Sequence, residues 1–166
     1  MKTLTLILTF IIITTFSNAT PTLITQFQPQ MNQSSMLNHT QQQQNETKHS
    51  GSCNYMVNIK TSCNSPSFTK DEISLLFGDA HDSQVYVPRL DDPDSGTFEQ
   101  CTTNELEILG PCIKKICKLY LFRNGTDGWI PETVTAYDYD NPPVKFYYNV
   151  DIPEDAGYGY NYCDKA

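Results

Sequence analysis

The chain of 166 residues carries 19 acidic and 11 basic side chains, which gives a formal net charge of −8. This acidic balance excludes simple nucleic-acid binding, because phosphate contacts depend on Lys and Arg. It also disfavours electrostatic docking on anionic lipid, and it is compatible with a divalent cation.

The first residues follow the three-part layout of a secretory signal. Lys2 gives a basic start, and residues 4–16 form an apolar run. Ser17 and Ala19 are small residues at the two positions that a signal peptidase recognises. A membrane anchor is the weaker interpretation, because the run is shorter than the ~20 residues that a spanning helix needs. We predict a signal peptide over residues 1–19, no transmembrane segment and secretion, with extracellular and vacuolar destinations both open.

Residues 20–51 are predicted to be a disordered linker rich in Gln, Asn and Thr. Their aliphatic side chains are scattered without a period, so they bury too little apolar surface to offset chain entropy. The linker carries sequons that begin at Asn32, Asn38 and Asn45. In an exposed, secreted segment these are candidate glycosylation sites, although chance is the alternative where Asn, Ser and Thr abound.

All six cysteines lie after residue 50, and an even number in an oxidising compartment predicts three disulfides. A zinc site is disfavoured, because no C-x-x-C pair or neighbouring His is present. The sequence does not choose among the pairings; we favour Cys53–Cys163, which would join the first strand to the last. The disulfide candidates are Cys53, Cys63, Cys101, Cys112, Cys117 and Cys163.

Residues 52–164 show alternation with a period of two, which is typical of strands that are buried on one face. Tyr55, Val57 and Ile59 alternate with polar residues, and similar alternation recurs near Ile73, Leu106, Leu119 and Val144. Turn-forming Gly, Pro, Asn and Asp separate these runs. The pattern predicts an all-β domain, an antiparallel β-sandwich of seven or eight strands.

Several stretches spread over nearly the whole folded segment match the pattern of a known family. Among them are Gln-Val-Tyr-Val-Pro-Arg-Leu-Asp-Asp at residues 84–92 and Gly-Thr-Asp-Gly-Trp-Ile-Pro-Glu at residues 125–132. The others are residues 53–63, 73–79, 110–112, 119–121 and 158–163. Through these stretches the domain resembles the plant embryo-specific protein 3 family.

That family is similar to PLAT domains, the β-sandwich modules of lipoxygenases, lipases and polycystins. The resemblance implies a PLAT-like sandwich of about eight strands in two four-stranded sheets, associated with seed and embryo. It also implies contact with lipid or protein partners, sometimes with calcium. In enzymes such a domain accompanies a separate catalytic domain, and no catalytic domain follows in this sequence.

Enzyme motifs are mostly absent from the folded segment, which contains no H-E-x-x-H, G-x-S-x-G or P-loop. His81 is its only His, and its position beside a turn favours a solvated loop residue over a general base. We therefore predict no catalytic residues. A small carboxylate-dependent hydrolase remains an alternative, because two of the many Asp and Glu residues can meet in space.

The acidic loop Asp91, Asp92 and Asp94 is the best candidate for a metal site. Several carboxylates in one flexible loop suit calcium, although the spacing does not match an EF-hand. The alternative is a turn, since Asp and Pro both favour turns. We expect no obligatory cofactor, with calcium as the weaker hypothesis.

Aromatic residues are the candidates for partner binding. Trp129 either anchors a partner or membrane, or packs across the end of the sandwich, which we favour. A strip formed by Tyr137, Tyr139, Tyr147 and Tyr160 either stacks on sugars or fills the sheet surface as cross-strand pairs. Asn124 begins a further sequon at a predicted hairpin tip.

The sequence thus predicts a secreted, non-catalytic module that binds lipid or protein partners. A carbohydrate-binding sandwich that uses the tyrosine strip is the second hypothesis, and a small hydrolase is the third.

Overall fold

The computed structural model describes residues 20–24, 51–90 and 95–163. The predicted signal peptide, most of the linker, the sequons at Asn32, Asn38 and Asn45, and the acidic loop of Asp91, Asp92 and Asp94 lie outside the described residues. The described part forms nine strands and no α-helix. The strands are β1 (Thr22–Ile24), β2 (Ser52–Thr61), β3 (Glu72–Gly78), β4 (Gln84–Val87), β5 (Thr103–Pro111), β6 (Lys118–Asn124), β7 (Pro131–Tyr137), β8 (Val144–Tyr147) and β9 (Gly157–Asn161).

The strands build two antiparallel sheets, which confirms the predicted all-β sandwich. One sheet has five strands in the order β1-β9-β6-β3-β4, and the other has four in the order β5-β2-β7-β8. The fifth strand of the larger sheet, β1, comes from the segment predicted to be disordered, so that prediction is wrong for Thr22–Ile24. Two of its three residues are β-branched, and β1 pairs with β9, where Thr22 lies opposite Gly159.

The core lies between the sheets and is filled by the alternating side chains that the sequence indicates. Tyr55, Val57 and Ile59 of β2 are fully buried, as are the inward residues of β3 and β6. The alternation of buried and exposed side chains is incomplete on β3, because Leu76 on the outer face is also buried. Its cross-strand neighbours are Tyr86 and Tyr120, and their large side chains cover it on the outer face of the sheet.

Three disulfides use all six cysteines: Cys53–Cys112, Cys63–Cys101 and Cys117–Cys163. The predicted three bridges are confirmed, and the favoured pairing Cys53–Cys163 is wrong. Cys53 lies on β2 of the four-stranded sheet, opposite Gly110 of the neighbouring β5. Cys163 follows β9 of the other sheet, so its partner is Cys117, just before the adjacent β6.

The described residues contain no helix that is long and apolar enough to cross a membrane.

Gly159 allows β9 to pack closely against β6. A Cβ at this position would contact the Leu119 carbonyl oxygen and lie 2.6 Å from the Cα of Tyr120. Both are backbone atoms, which cannot rotate away. We expect Gly159→Ala to destabilise the domain by at least about 1–3 kcal/mol, the usual range for overpacking.

Urea unfolding followed by circular dichroism measures this change. Gly51→Ala is the matched control, because its Cβ would make only an ordinary 3.4 Å contact with Cys112 Sγ. Equal midpoints for the two variants would contradict this close packing of β9 on β6.

Candidate functional site

One end of the sandwich gathers the loops that follow β2, β4, β6 and β8. Antiparallel pairing places the end of β2 beside the start of β7, and the start of β3 beside the end of β6. We call this region the Trp129 end. Its described loops are residues 62–71, 88–90, 95–102, 125–130 and 148–156.

A buried ion pair organises the Trp129 end. Arg123 Nη1 donates to Asp71 Oδ2 at 2.6 Å, and the two side chains are only 7% and 5% exposed. Arg123 also donates to the carbonyls of Ile152 and Gly125. Asp71 in turn accepts backbone N–H groups from Asp127 and Gly128. One pair therefore fixes the start of β3, the loop after β6 and the loop before β9.

The Trp129 side chain is completely buried at this end. It packs on Phe98, with ring centroids 5.0 Å apart, and its Nε1 donates to Thr61 Oγ1 at 3.2 Å. Asp151 accepts its backbone N–H. Trp129 has no exposed surface with which to anchor a partner, so the packed alternative is the one that the structure adopts.

Phe68 is the exposed aromatic residue of this end, with 56% of its surface accessible. Its loop is held on both sides. Gln100 donates its backbone N–H to the Ser67 carbonyl, and the Cys63–Cys101 disulfide lies close by. Beyond Phe68, Lys70 donates its backbone N–H to Asp127 Oδ2. Phe68 is not among the residues predicted from the sequence, although an isolated Phe between polar, turn-forming residues is a detectable signal.

The four candidate tyrosines do not form one continuous surface strip. Tyr139 and Tyr147 are 78% and 61% exposed, and Tyr137 is half-buried. Tyr160 is buried in the core, because β9 turns it inward beside Tyr148. Only two of the candidates are therefore fully available to a partner.

Asp79 organises the opposite end of the sandwich. Its carboxylate accepts backbone N–H groups from His81, Ser83 and Lys114, which ties the turn after β3 to the loop after β5. Burial by itself raises the pKa of Asp79, but these three donors outweigh it and the pKa is lowered. His81 is exposed in this turn, as the sequence predicted for a solvated loop residue.

Asn124 is exposed at the end of β6, and Thr126 of its sequon is exposed as well. The sequon is thus at a loop tip, and its glycosylation stays a prediction. Among the residues that the structure describes, no three His, Cys, Asp or Glu side chains meet as a metal-binding group. Leu90 and Ser95, which flank the predicted calcium loop, lie in the loop after β4 at the Trp129 end.

Removing the charge of Asp71 leaves a buried Arg123 without its partner. We expect Asp71→Asn to lower the free energy of unfolding by about 3–5 kcal/mol. The control is Glu132→Gln, which breaks the Lys60–Glu132 pair, whose side chains are 43% and 32% exposed. That change is expected to cost less than ~1 kcal/mol. Denaturant unfolding of both variants checks the difference, and similar losses would argue against a structural role for the buried pair.

Acid should remove the stabilisation that Asp71 and Asp79 provide. Burial raises the pKa of Asp71, but hydrogen bonds from Asp127, Arg123 and Gly128 lower it below the ordinary value of 3.8. A depressed pKa means that the carboxylate stabilises the fold above its unfolded pKa, and that this contribution is lost as pH falls through the folded pKa. We expect a steep loss of stability below pH ~4.

The measurement is the unfolding free energy between neutral and strongly acidic pH, for the natural chain and for Asp79→Asn. The variant should be less stable at neutral pH, and the difference in unfolding free energy between the two proteins should shrink in acid. A gap that stays constant with pH would show that the Asp79 carboxylate carries no such linkage.

Solved structures with a similar fold include lipoxygenases and a bacterial toxin. Delta413-417:GS LOX has a TM-score of 0.58 and 17% identity, over 67% of this chain and 16% of that chain. Coral 8R-lipoxygenase, described with calcium activation via a C2-like domain, has a TM-score of 0.55 and 16% identity, over 65% of this chain and 17% of its own. Alpha toxin from Clostridium absonum has a TM-score of 0.51 and 21% identity, over 70% of this chain and 33% of its own. The fold is PLAT-like.

Two proteins of Arabidopsis thaliana are similar in sequence. Embryo-specific protein ATS3B is 51% identical over 114 residues, which are 69% of this chain and 60% of that protein. Embryo-specific protein ATS3A is 49% identical over 117 residues, 70% of this chain and 65% of its own length. The chain thus spans less than two thirds of either relative. The family model of Embryo-specific protein 3 (ATS3) matches residues 37–163, and the chain belongs to this family.

Proposed function

We propose that this protein is a secreted, non-catalytic binding module that contacts lipid or protein partners through its Trp129 end. The observation that carries the proposal is Phe68, an apolar ring exposed on a loop that its neighbours hold in place. An exposed apolar side chain on a rigid loop is suited to insertion into a lipid surface or into a partner's pocket.

The loop framework supports binding because it limits the entropy that is lost when a partner docks. The Cys63–Cys101 bridge and the hydrogen bonds from Gln100 hold the part of the loop before Phe68. The Asp71–Arg123 pair holds the part after it. The loop backbone on both sides of Phe68 is therefore held in place before any partner arrives.

The chemistry of the described carboxylates supports a role without catalysis. Asp71 and Asp79 are the buried acids, and each already accepts three hydrogen bonds. Their lowered pKa values keep them ionised, which is unsuited to a general acid at neutral pH. The cysteines are all in disulfides, so none supplies a thiolate nucleophile.

Secretion is part of the proposal. The three disulfides are compatible with the oxidising secretory pathway, and the layout of residues 1–19 favours a signal peptide. Glycans at Asn124 or in the segment before residue 51 fit the same route.

Carbohydrate binding is the second candidate, and Tyr147 favours it. This ring is exposed on β8, at the edge of the four-stranded sheet. The burial of Tyr160 shortens the strip that the sequence indicated. A glycan array on which the natural chain shows no binding rules this candidate out. Binding that is the same for the natural chain and for Tyr147→Ala also rules it out.

The lipid proposal is tested by co-sedimentation with zwitterionic vesicles, with and without calcium. Transfer of a Phe side chain out of water is worth about 1.5–3 kcal/mol, so Phe68→Ser should weaken binding by about tenfold or more. Tyr139→Ser is the matched control, because Tyr139 is an exposed aromatic residue in the turn after β7, at the opposite end. It should bind like the natural chain.

Equal binding of Phe68→Ser and Tyr139→Ser to the vesicles would exclude the Trp129 end as the contact surface. If no vesicle binds, the lipid half of the proposal fails, and a crosslinking comparison of the natural chain with Phe68→Ser tests the protein half. Calcium acting through Asp91, Asp92 and Asp94 should raise the melting temperature at millimolar concentration, and an unchanged value would mean that the loop is only a turn.

A further inference from the structure

Strand β5 lies at one margin of the four-stranded sheet and pairs only with β2. It has nine residues, more than any other marginal strand in the part of the chain that the structure describes. The free side of a marginal strand presents a row of backbone N–H and C=O groups with which a further strand can pair. β5 is therefore the longest open edge of the two described sheets.

Two hydrogen bonds at the ends of the β2–β5 ladder show which backbone groups of β5 point outward. Thr61 donates its N–H to the Thr102 carbonyl, and Cys112 donates its N–H to the Gly51 carbonyl. The register between these two bonds is uninterrupted, and in an antiparallel ladder every second residue bonds to its partner strand. The even-numbered residues of β5 therefore bond to β2, and the backbone groups of the others point away from it: Thr103, Glu105, Glu107 and Leu109.

The outward N–H and C=O groups of Glu105, Glu107 and Leu109 have no hydrogen-bond partner within the described ranges. The side chains of the same three residues are exposed, and that of Leu109 has 69% of its surface accessible. Pro111 ends the row, because it has no N–H. The open edge thus runs from Glu105 to Leu109, and it offers both its backbone and its outer-face side chains.

Two carboxylates make this edge negative. Glu105 and Glu107 are exposed, and neither forms an ion pair with a described residue. Asn58 and Met56, which lie directly opposite them on β2, are neutral, so no cation offsets the charge across the ladder. Antiparallel pairing of two β5 strands would bring the carboxylates of two copies together, which is unfavourable. The charge therefore favours a basic partner over a second copy of this chain.

The inner face of the same edge is apolar. Leu106 is half-buried and packs against the core, and Ile108 beside it is buried. A strand added beyond β5 would place every second side chain next to these residues and the others next to the carboxylates. The edge is thus complementary to a strand in which apolar and basic residues alternate.

We propose that the open edge of β5 binds an extended segment of a partner protein, in which basic and apolar residues alternate, as a further antiparallel strand. In strand addition the backbone hydrogen bonds supply affinity, and the alternate side chains supply the choice of partner. The proposal goes beyond the function assigned to the Trp129 end. Phe68 lies outside β5, so Phe68→Ser should leave this binding unchanged, and the failure of one proposal is distinguishable from the failure of the other.

The probe is a fluorescently labelled peptide, Thr-Lys-Val-Lys-Val-Lys-Thr, whose binding to the full mature chain is measured by fluorescence anisotropy. We expect it to bind at least about tenfold more tightly than the charge-reversed peptide Thr-Glu-Val-Glu-Val-Glu-Thr, because that peptide places like charges opposite each other. A third peptide carries N-methyl groups at its lysines, the residues that an antiparallel strand places opposite the outward groups of β5. It keeps the charge but cannot donate, and it should bind weakly as well.

The double variant Glu105→Gln and Glu107→Gln should weaken binding of the basic peptide by about tenfold at low salt, because two exposed ion pairs are lost. The matched control is Asp140→Asn with Glu154→Gln. It removes two exposed carboxylates away from β5, in the turn after β7 and in the loop before β9. The control should bind the peptide as the natural chain does.

Leu109→Pro tests the backbone contribution without changing the charge. The N–H of Leu109 points outward, so Pro removes a donor from the open edge and leaves the ladder to β2 intact. The variant should keep the circular-dichroism spectrum of the natural chain and bind the peptide about threefold to tenfold more weakly, the effect of one lost hydrogen bond. The N-methylated peptide makes the same test on the natural chain, so the test does not depend on the folding of this variant.

Three results would overturn the proposal: no binding of the basic peptide, equal binding of the charge-reversed or N-methylated peptide, or an equal loss in the two double variants. Sedimentation of the natural chain without peptide tests the remaining occupant. A dimer that Leu109→Pro abolishes would assign the edge to a second copy, against the proposal, whereas a monomer leaves the edge open to a basic partner.

Discussion

The Asp71–Arg123 pair is the interaction on which the arrangement of the loops depends. Its atoms satisfy backbone groups in the loop after β6 and the Ile152 carbonyl in the loop before β9. Exchanging such a pair for apolar residues is often neutral or favourable in other proteins, so its net contribution to stability is not its main role here. What it supplies is one defined loop conformation, because a shifted loop would leave buried charges and N–H groups without partners.

Neighbouring residues of β6 face opposite sides of the five-stranded sheet. Along β6, Arg123 points into the interior and orders the Trp129 end, while Phe122 lies on the outer face of the sheet. The period of two of a β-strand is the reason, since neighbouring side chains emerge on opposite faces. The start of β3 repeats this arrangement with Asp71 and Glu72. Each residue of the buried pair thus has a neighbour in sequence that lies on the opposite face of the sheet.

Several tyrosines near the C terminus pack in the core and stabilise the domain. Tyr148, Tyr158 and Tyr160 contact one another between the sheets, and Phe146 stacks on Tyr162 with centroids 5.3 Å apart. The Tyr148 hydroxyl donates to the Leu119 carbonyl, and burial raises its pKa well above the ordinary value. A phenol in this position fills the core and still finds an acceptor, which an aliphatic residue cannot do.

The sequence by itself determined the elements of the fold. The period of two set which side chains of β2 face inward, the even cysteine count set three bridges, and the matching stretches indicated the family. These are local or compositional properties, which depend on spacing and residue type. Tertiary structure decided which sheet each strand joins, and with it the partner of Cys53, the burial of Trp129 and Tyr160, and the exposure of Phe68. These follow from contacts between residues far apart in the chain, which no local pattern encodes.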